Sequence, residues 1–230
     1  MPPWLQLMLD SLAPLLWAAL VFTIPLTLAS FVLGRALGLA LGLVTAVTRL
    51  FGPKPLVAVA RFYVWVIRGT PLLVQLFVIF YGLPSVGILL DAFPAALIGF
   101  TLNVGAYTSE IIRAAIGSVP KGQWEAAYSI GMSWSQAMRR TILPQATRVA
   151  VPPLSNTFIS LVKDTSLAAA VTVPELFQTA QRIVATTYEP LILYIEAALI
   201  YLALSSVLSA LQVRLEKRFA RYGGFLEART

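Results

Sequence analysis

The sequence predicts an all-α polytopic membrane protein, with five transmembrane helices in one domain over residues 1–230 and a pair of short cytoplasmic helices within it. Three observations carry this prediction. Of 230 residues, 58% are hydrophobic and 12% charged, with a mean hydropathy of +0.81, far from the mix of a soluble domain. The apolar residues gather into stretches of about 20 or more, the length that crosses a bilayer as a helix. The basic residues fall on alternate connections between those stretches.

The stretches, in order, are residues 12–48, 62–83, 93–112, 154–173 and 190–213. The first is long: as one tilted helix it makes the count five, and as two helices broken near Arg35 it would make six. Charge placement decides. Arg49, Lys54, Arg61 and Arg68 flank the first connection, and Arg113, Lys121, Arg139, Arg140 and Arg148 flank the polar centre. Arg214, Lys217, Arg218, Arg221 and Arg229 follow the last stretch, whereas the opposite ends hold Asp10, Asp91, Glu175, Glu189 and one cation, Arg182. Cations concentrate on the cytoplasmic side of membrane proteins. The pattern therefore predicts five spans, the N-terminus outside and the C-terminus in the cytoplasm. The first basic residue is Arg35, so a cleaved leader with a basic start is not expected.

The net charge of +7 is distributed along membrane connections and not on one face, so nucleic acid is not the expected partner; membrane lipid is. With no Cys and no His, the chain lacks thiolate and imidazole ligands and any nucleophile paired with histidine, so neither a metal site nor a catalytic residue is expected. No GxxxxGK[ST] stretch occurs. Work done by this chain must be driven by ions or by a partner.

Residues 113–148 are too polar to span yet rich in helix formers. Trp124, Ala127 and Tyr128 fall at i, i+3 and i+4 and form an apolar stripe. Gly131 stands where a helix ends in a left-handed residue, and Ser133-Trp-Ser-Gln136 has the spacing of a capping box. Pro144 is read as the end of the second helix. The prediction is two short helices bent at Gly131 that present Trp124, Tyr128 and Trp134. Such a pair lies on a membrane surface or docks on a protein, and periodicity does not choose between them.

"EAAYSIG", nine residues, then "TILP" resembles the EAA loop of ATP-binding-cassette importer permeases. "RGTPLLVQLFVIFYGLP" at 68–84, "NVGAYTSEIIRAAI" at 103–116 and "SLVKDTSLA" at 160–168 resemble the polar amino-acid branch of that family, the histidine, glutamine and cystine type. "PPLSNTFISLVKDTSLA" and "KGQWEAAYSIGM" are most similar to its L-cystine members. The resemblance implies the type I importer permease fold, with residues 121–144 as a coupling loop. Trp124, Glu125, Ala126, Ala127, Gly131 and Pro144 would meet an ATP-binding subunit; Thr141 departs from the usual isoleucine and shifts the apolar anchor to Ile142. It also implies a multi-pass protein of a bacterial plasma membrane that is itself no enzyme. Two ATP-binding subunits would hold ATP and magnesium, an extracytoplasmic protein would deliver the amino acid, and a second permease copy, identical or homologous, would complete the pathway.

Lys163 and Asp164 lie midway through residues 154–173. A charge at that depth costs at least about 2.5 kcal/mol on insertion scales, so such residues face a cavity or a partner. Adjacent helical residues point about 100° apart, so each needs its own partner or the helix unwinds there. A zwitterionic amino acid would pair with both; a buried ion pair with Glu110 or Arg68 is the structural alternative. Thr70, Gln75 and Asn103, polar groups in apolar segments, complete the pathway candidates, with hydrogen bonding between helices as their alternative role. Gly34, Gly38 and Gly42 have the spacing that lets helices approach closely. An importer subunit is the function the family resemblance implies, with an ion-coupled secondary transporter using Asp164 or Glu110 as the rival.

Overall fold

The computed structural model describes the backbone over residues 2–51 and 54–221, and side chains over 2–41 and 55–214. Arg49, Lys54, Lys217, Arg218, Arg221, Arg229 and Gly42 lie outside the described side chains. No strand occurs among the described residues. The helices are α1 (Pro3–Ala18), α2 (Ile24–Phe51), α3 (Lys54–Gly69), α4 (Leu72–Phe77), α5 (Ala92–Gly117), α6 (Lys121–Ser129), α7 (Trp134–Ala137), α8 (Leu143–Asp164), α9 (Leu176–Thr187) and α10 (Pro190–Arg221).

Five-residue π-turns interrupt three helical runs, at Ala19–Thr23, Val78–Gly82 and Met138–Ile142. Each is followed two residues later by a proline: Pro25, Pro84 and Pro144. A helical proline lacks an N–H and its ring presses on the carbonyl four residues back. A π-turn bonds five residues back, so it absorbs both defects without stopping the run. This corrects the expectation at Pro144: the helix begun at Trp134 does not end there but continues as α8.

The first apolar stretch is one helical run from Pro3 through the π-turn into α2, unbroken at Arg35, where the six-span variant needed a break. Its described 39-residue part, Pro3–Leu41, is about 58 Å long at 1.5 Å per residue, well beyond a bilayer core. The Arg35 guanidinium lies 5.2 Å over the Phe31 ring. The second stretch, expected as one span, is instead two helices bent by 107° between Gly69 and Leu72. Pro71 takes an extended conformation at ψ 137 and caps α4, and the run breaks there. Residues 93–112 and 190–213 fall inside α5 and α10 as expected. Residues 154–173 cover the end of α8 and then tight 3-10 turns from Thr165 to Val171, so the helix does change form beside Asp164. Among the described residues, three helices are long and apolar enough to cross a membrane, or four if the bent pair is one span.

Three apolar clusters hold the helices. Leu26, Leu76, Phe100, Val104 and Leu161 join α2, α4, α5 and α8 in the middle. Leu15, Leu176, Ala180 and Ala197 join α1, α9 and α10, where Ser11 donates to buried Glu196 at 2.5 Å. Buried Glu175 caps α9, accepting from Gln178 N–H at 2.7 Å and from the Tyr201 hydroxyl at 2.6 Å. The third cluster lies beneath α6 and α7 and is described below.

The glycine spacing in α2 is a true close approach. A Cβ at Gly34 would lie 2.6 Å from that of Val104, and one at Gly38 would lie 2.6 Å from the Gly105 carbonyl oxygen. Backbone cannot yield as a side chain does, so Gly38→Leu should destabilise the chain by about 1–3 kcal/mol through overpacking. Gly117 has nothing within 4 Å of its added Cβ, and Gly117→Ala should leave the thermal midpoint in detergent unchanged. Equal midpoints for the two variants would remove the α2–α5 contact as a determinant of stability.

Candidate functional site

Where α3 breaks from α4, its last carbonyls lose their helical partners. Gln75 replaces them: its buried side-chain amide donates to Ile67 O at 2.7 Å, Thr70 O at 3.1 Å and Thr70 Oγ1 at 2.9 Å. The Thr70 hydroxyl in turn donates to Val66 O at 2.9 Å. The corner so locked forms one wall of a cavity of about 440 Å³. Asn103 and Tyr107, four residues apart on α5, form a second wall, and Asn156, Ser160 and Asp164, each four apart on α8, form the third. A spacing of four keeps side chains on one helical face.

Three of the five pathway candidates, Thr70, Asn103 and Asp164, line this cavity together. Gln75 stands behind Thr70 and holds the corner. Lys163 is exposed and turned away from the lining, so only one charge of the adjacent pair enters. Neither residue joins the ion pairs of Glu110, which link it to Arg68 and Arg113. Tyr107, Asn156 and Ser160 escaped the sequence reading. Their signal was present, because positions 156, 160 and 164 place a polar stripe in an apolar stretch. Among the described residues the cavity offers a single carboxylate, two carboxamides and four hydroxyls, with apolar walls from Leu72, Val104, Leu161 and Leu167. Such a set holds a small polar molecule with a cationic end near Asp164.

A second feature is the elbow between α6 and α7. Gly131 has φ +80; its N–H donates to Tyr128 O at 2.9 Å and the Met132 N–H donates to Ala127 O at 3.1 Å. Those two bonds are the Schellman closure of a helix. Immediately after it the Gln136 N–H donates to Ser133 Oγ at 3.3 Å and the Ser133 N–H to Gln136 Oε1 at 2.9 Å, the capping box expected there. The Gln145 amide donates to Gln123 Oε1 at 3.0 Å and to Thr141 O at 2.9 Å, tying α6 to α8.

The aromatic residues divide between two roles. Tyr128 is exposed, with Ile130 at the tip 73% exposed. Trp124 and Trp134, expected to be presented, are half-buried and pack on Ala115, Val119, Met138 and Ile142. They turn inward because the elbow sits on α5 and α8, which supply apolar surface that a sequence window cannot display. Ile142 is fully buried and anchors the elbow, while the Thr141 hydroxyl lies 4.0 Å from the Met132 sulfur. The outer surface is left to Glu125, Ala126, Tyr128, Ile130 and Gly131, with Ala127 buried beneath and Pro144 exposed beside it.

Helical folds of this shape occur in known transporters. The chain is 54% identical over 221 residues to the L-cystine transport system permease protein TcyB of Bacillus subtilis, covering 96% of this chain and 92% of that protein. It is 39% identical to the glutamine transport system permease protein GlnP of Escherichia coli K12, over 88% of this chain and 96% of that one. A crystal structure of an amino acid ABC transporter with histidines superposes with a TM-score of 0.88 at 35% identity, covering 95% of this chain and 99% of the other. The inward-facing MetNI methionine ABC transporter shares the fold, with a TM-score of 0.73 at 22% identity over 90% and 98% of the two chains. Residues 38–221 match the family model described as "Binding-protein-dependent transport system inner membrane component", and the chain belongs to that family.

Proposed function

We propose that this chain is the permease subunit of an ATP-driven amino-acid importer whose substrate is a polar amino acid, L-cystine above others. The carrying observation is α8. It rises from the π-turn under the elbow and runs as one 22-residue helix to Asp164 in the cavity wall. Motion imposed on the elbow is thereby delivered about 33 Å away at 1.5 Å per residue, to the carboxylate of the cavity lining.

In this reading Asp164 receives the substrate ammonium, and Thr70, Asn103 and Ser160 receive its carboxylate and polar atoms. A charge-assisted bond there gains from apolar surroundings. Two ATP-binding subunits close around ATP and magnesium and carry the outer surface of the elbow with them. The exposed Glu125, Tyr128 and Ile130 supply the contact, and Trp124 and Trp134 clamp the elbow to α5 and α8. Nucleotide thus shifts the balance between inward and outward access. A second permease copy completes the pathway, and an extracytoplasmic binding protein delivers the amino acid. The charge asymmetry supports five spans in a bacterial plasma membrane, with the N-terminus outside and the C-terminus in the cytoplasm.

The test is ATP hydrolysis by the reconstituted complex, with its binding protein, across a panel of amino acids. L-cystine is expected to stimulate hydrolysis most. Uptake that collapses with an uncoupler while ATP is maintained would replace this reading with an ion-coupled one.

A further inference from the structure

Next to the polar cavity, on its elbow side, lies a larger open vestibule of about 560 Å³ between α3 and α5. Arg61, Arg68 and Arg113 bring three guanidiniums to it and Glu110 one carboxylate. The carboxylate is held unequally. Arg113, one turn away on the same helix, grips it through Nε at 3.0 Å and Nη2 at 2.8 Å. Arg68, from the other helix, stands at 3.5 Å, beyond a good hydrogen bond. Arg61 takes no part in these ion pairs, so the lining carries two positive charges in excess. Arg68 also links the two chambers, because its guanidinium lies 5.3 Å over the ring of Tyr107, which lines the polar cavity.

We propose that the vestibule is a second station for the transported amino acid, in which Arg61 and Arg68 receive its α-carboxylate and Glu110 is the internal counter-ion it displaces from Arg68. The inference rests on the reading of the chain as an amino-acid permease. A ligand leaving Asp164 toward the elbow meets Arg68, whose guanidinium lies over the Tyr107 ring where the two linings adjoin. Exchange there is cheap: Glu110 loses its long contact to Arg68 and keeps its short ones to Arg113. The carboxylate then leaves one guanidinium for another without being stranded in apolar surroundings.

In proteoliposomes holding permease, ATP-binding subunit and binding protein, Arg61→Gln should slow turnover of radiolabelled L-cystine about tenfold, with half-saturation shifted by less than about twofold. Arg61→Lys keeps the charge and should restore at least about half the rate. Wild-type turnover in the glutamine variant, or no rescue by lysine, overturns the proposal. The full chain in detergent gives an independent arm, read from the fluorescence of Trp65, which lines the vestibule, as the difference from Trp65→Phe. Acetate should bind Glu110→Gln about tenfold more tightly than wild type, because the competing carboxylate is gone. Equal acetate affinities overturn the proposal, as does quenching by short-chain phosphatidylglycerol that acetate fails to displace, which would make the vestibule a lipid site. If the wild-type complex does not take up L-cystine, the substrate reading of the preceding section fails, and the acetate titration still decides the vestibule.

Discussion

Asp164→Asn is expected to lower ATP-driven uptake by about tenfold or more while the complex still assembles. A hydrogen bond to a charged group contributes about 1.5–3 kcal/mol, and each 1.36 kcal/mol is a factor of ten in rate or affinity. Among the described residues the carboxylate is the only one in the cavity lining, so no neighbour among them replaces it. Asparagine keeps the shape and the acceptor oxygen and loses the charge, so a fall in uptake reports pairing with a cation. Lys163→Met is the informative companion, because its side chain lies outside the lining; uptake should stay within about threefold of wild type, as for most surface substitutions. Unchanged uptake in Asp164→Asn, with radiolabelled substrate and matched ATP, would return this residue to a packing role. Equal losses in both variants would return the pair to the joint role its sequence position first implied.

Gly131→Val is expected to uncouple ATP hydrolysis from uptake. The φ of +80 is a conformation L side chains rarely adopt, costing about 1–2 kcal/mol for an ordinary residue and more for a β-branched one. Nothing lies within 4 Å of the added Cβ, so the effect is conformational and not a clash within the chain. Gly131→Asn separates the two causes: asparagine tolerates the left-handed region, and this variant should retain more than about half of wild-type uptake. If valine and asparagine behave alike in both uptake and hydrolysis, the bend is not what couples them.

Local chemistry was readable wherever neighbouring residues supplied it. The elbow came out of the sequence almost bond for bond, because a Schellman closure and a capping box are each complete within a few residues of Gly131 and Ser133. Proline was the harder sign. Pro71 and Pro144 look alike in the sequence, yet one breaks a span by 107° and the other is carried inside a continuing helix. The difference is a π-turn before Pro144, and a π-turn is stabilised by what packs on it; here Met138 and Ile142 are buried under Trp124 and Trp134.

The candidate site shows the same division. Thr70, Asn103 and Asp164 were legible as polar residues in apolar segments, where burial without purpose is costly. Their meeting in one cavity was not legible, because it depends on the corner that Gln75 locks and on how α5 and α8 pack together. Nor was the turning away of Lys163, which follows from its azimuth on α8 relative to α5.

By itself the sequence determined the solvent, the helical class and the elbow, since composition, apolar run length and capping act over short distances along the chain. Only the tertiary structure decided which charges share a cavity, which tryptophans face inward and that three arginines line one vestibule with a single carboxylate. Those outcomes are set by helices meeting across long separations in sequence, where a shift of one residue turns a side chain by about 100° and exchanges one chamber for another.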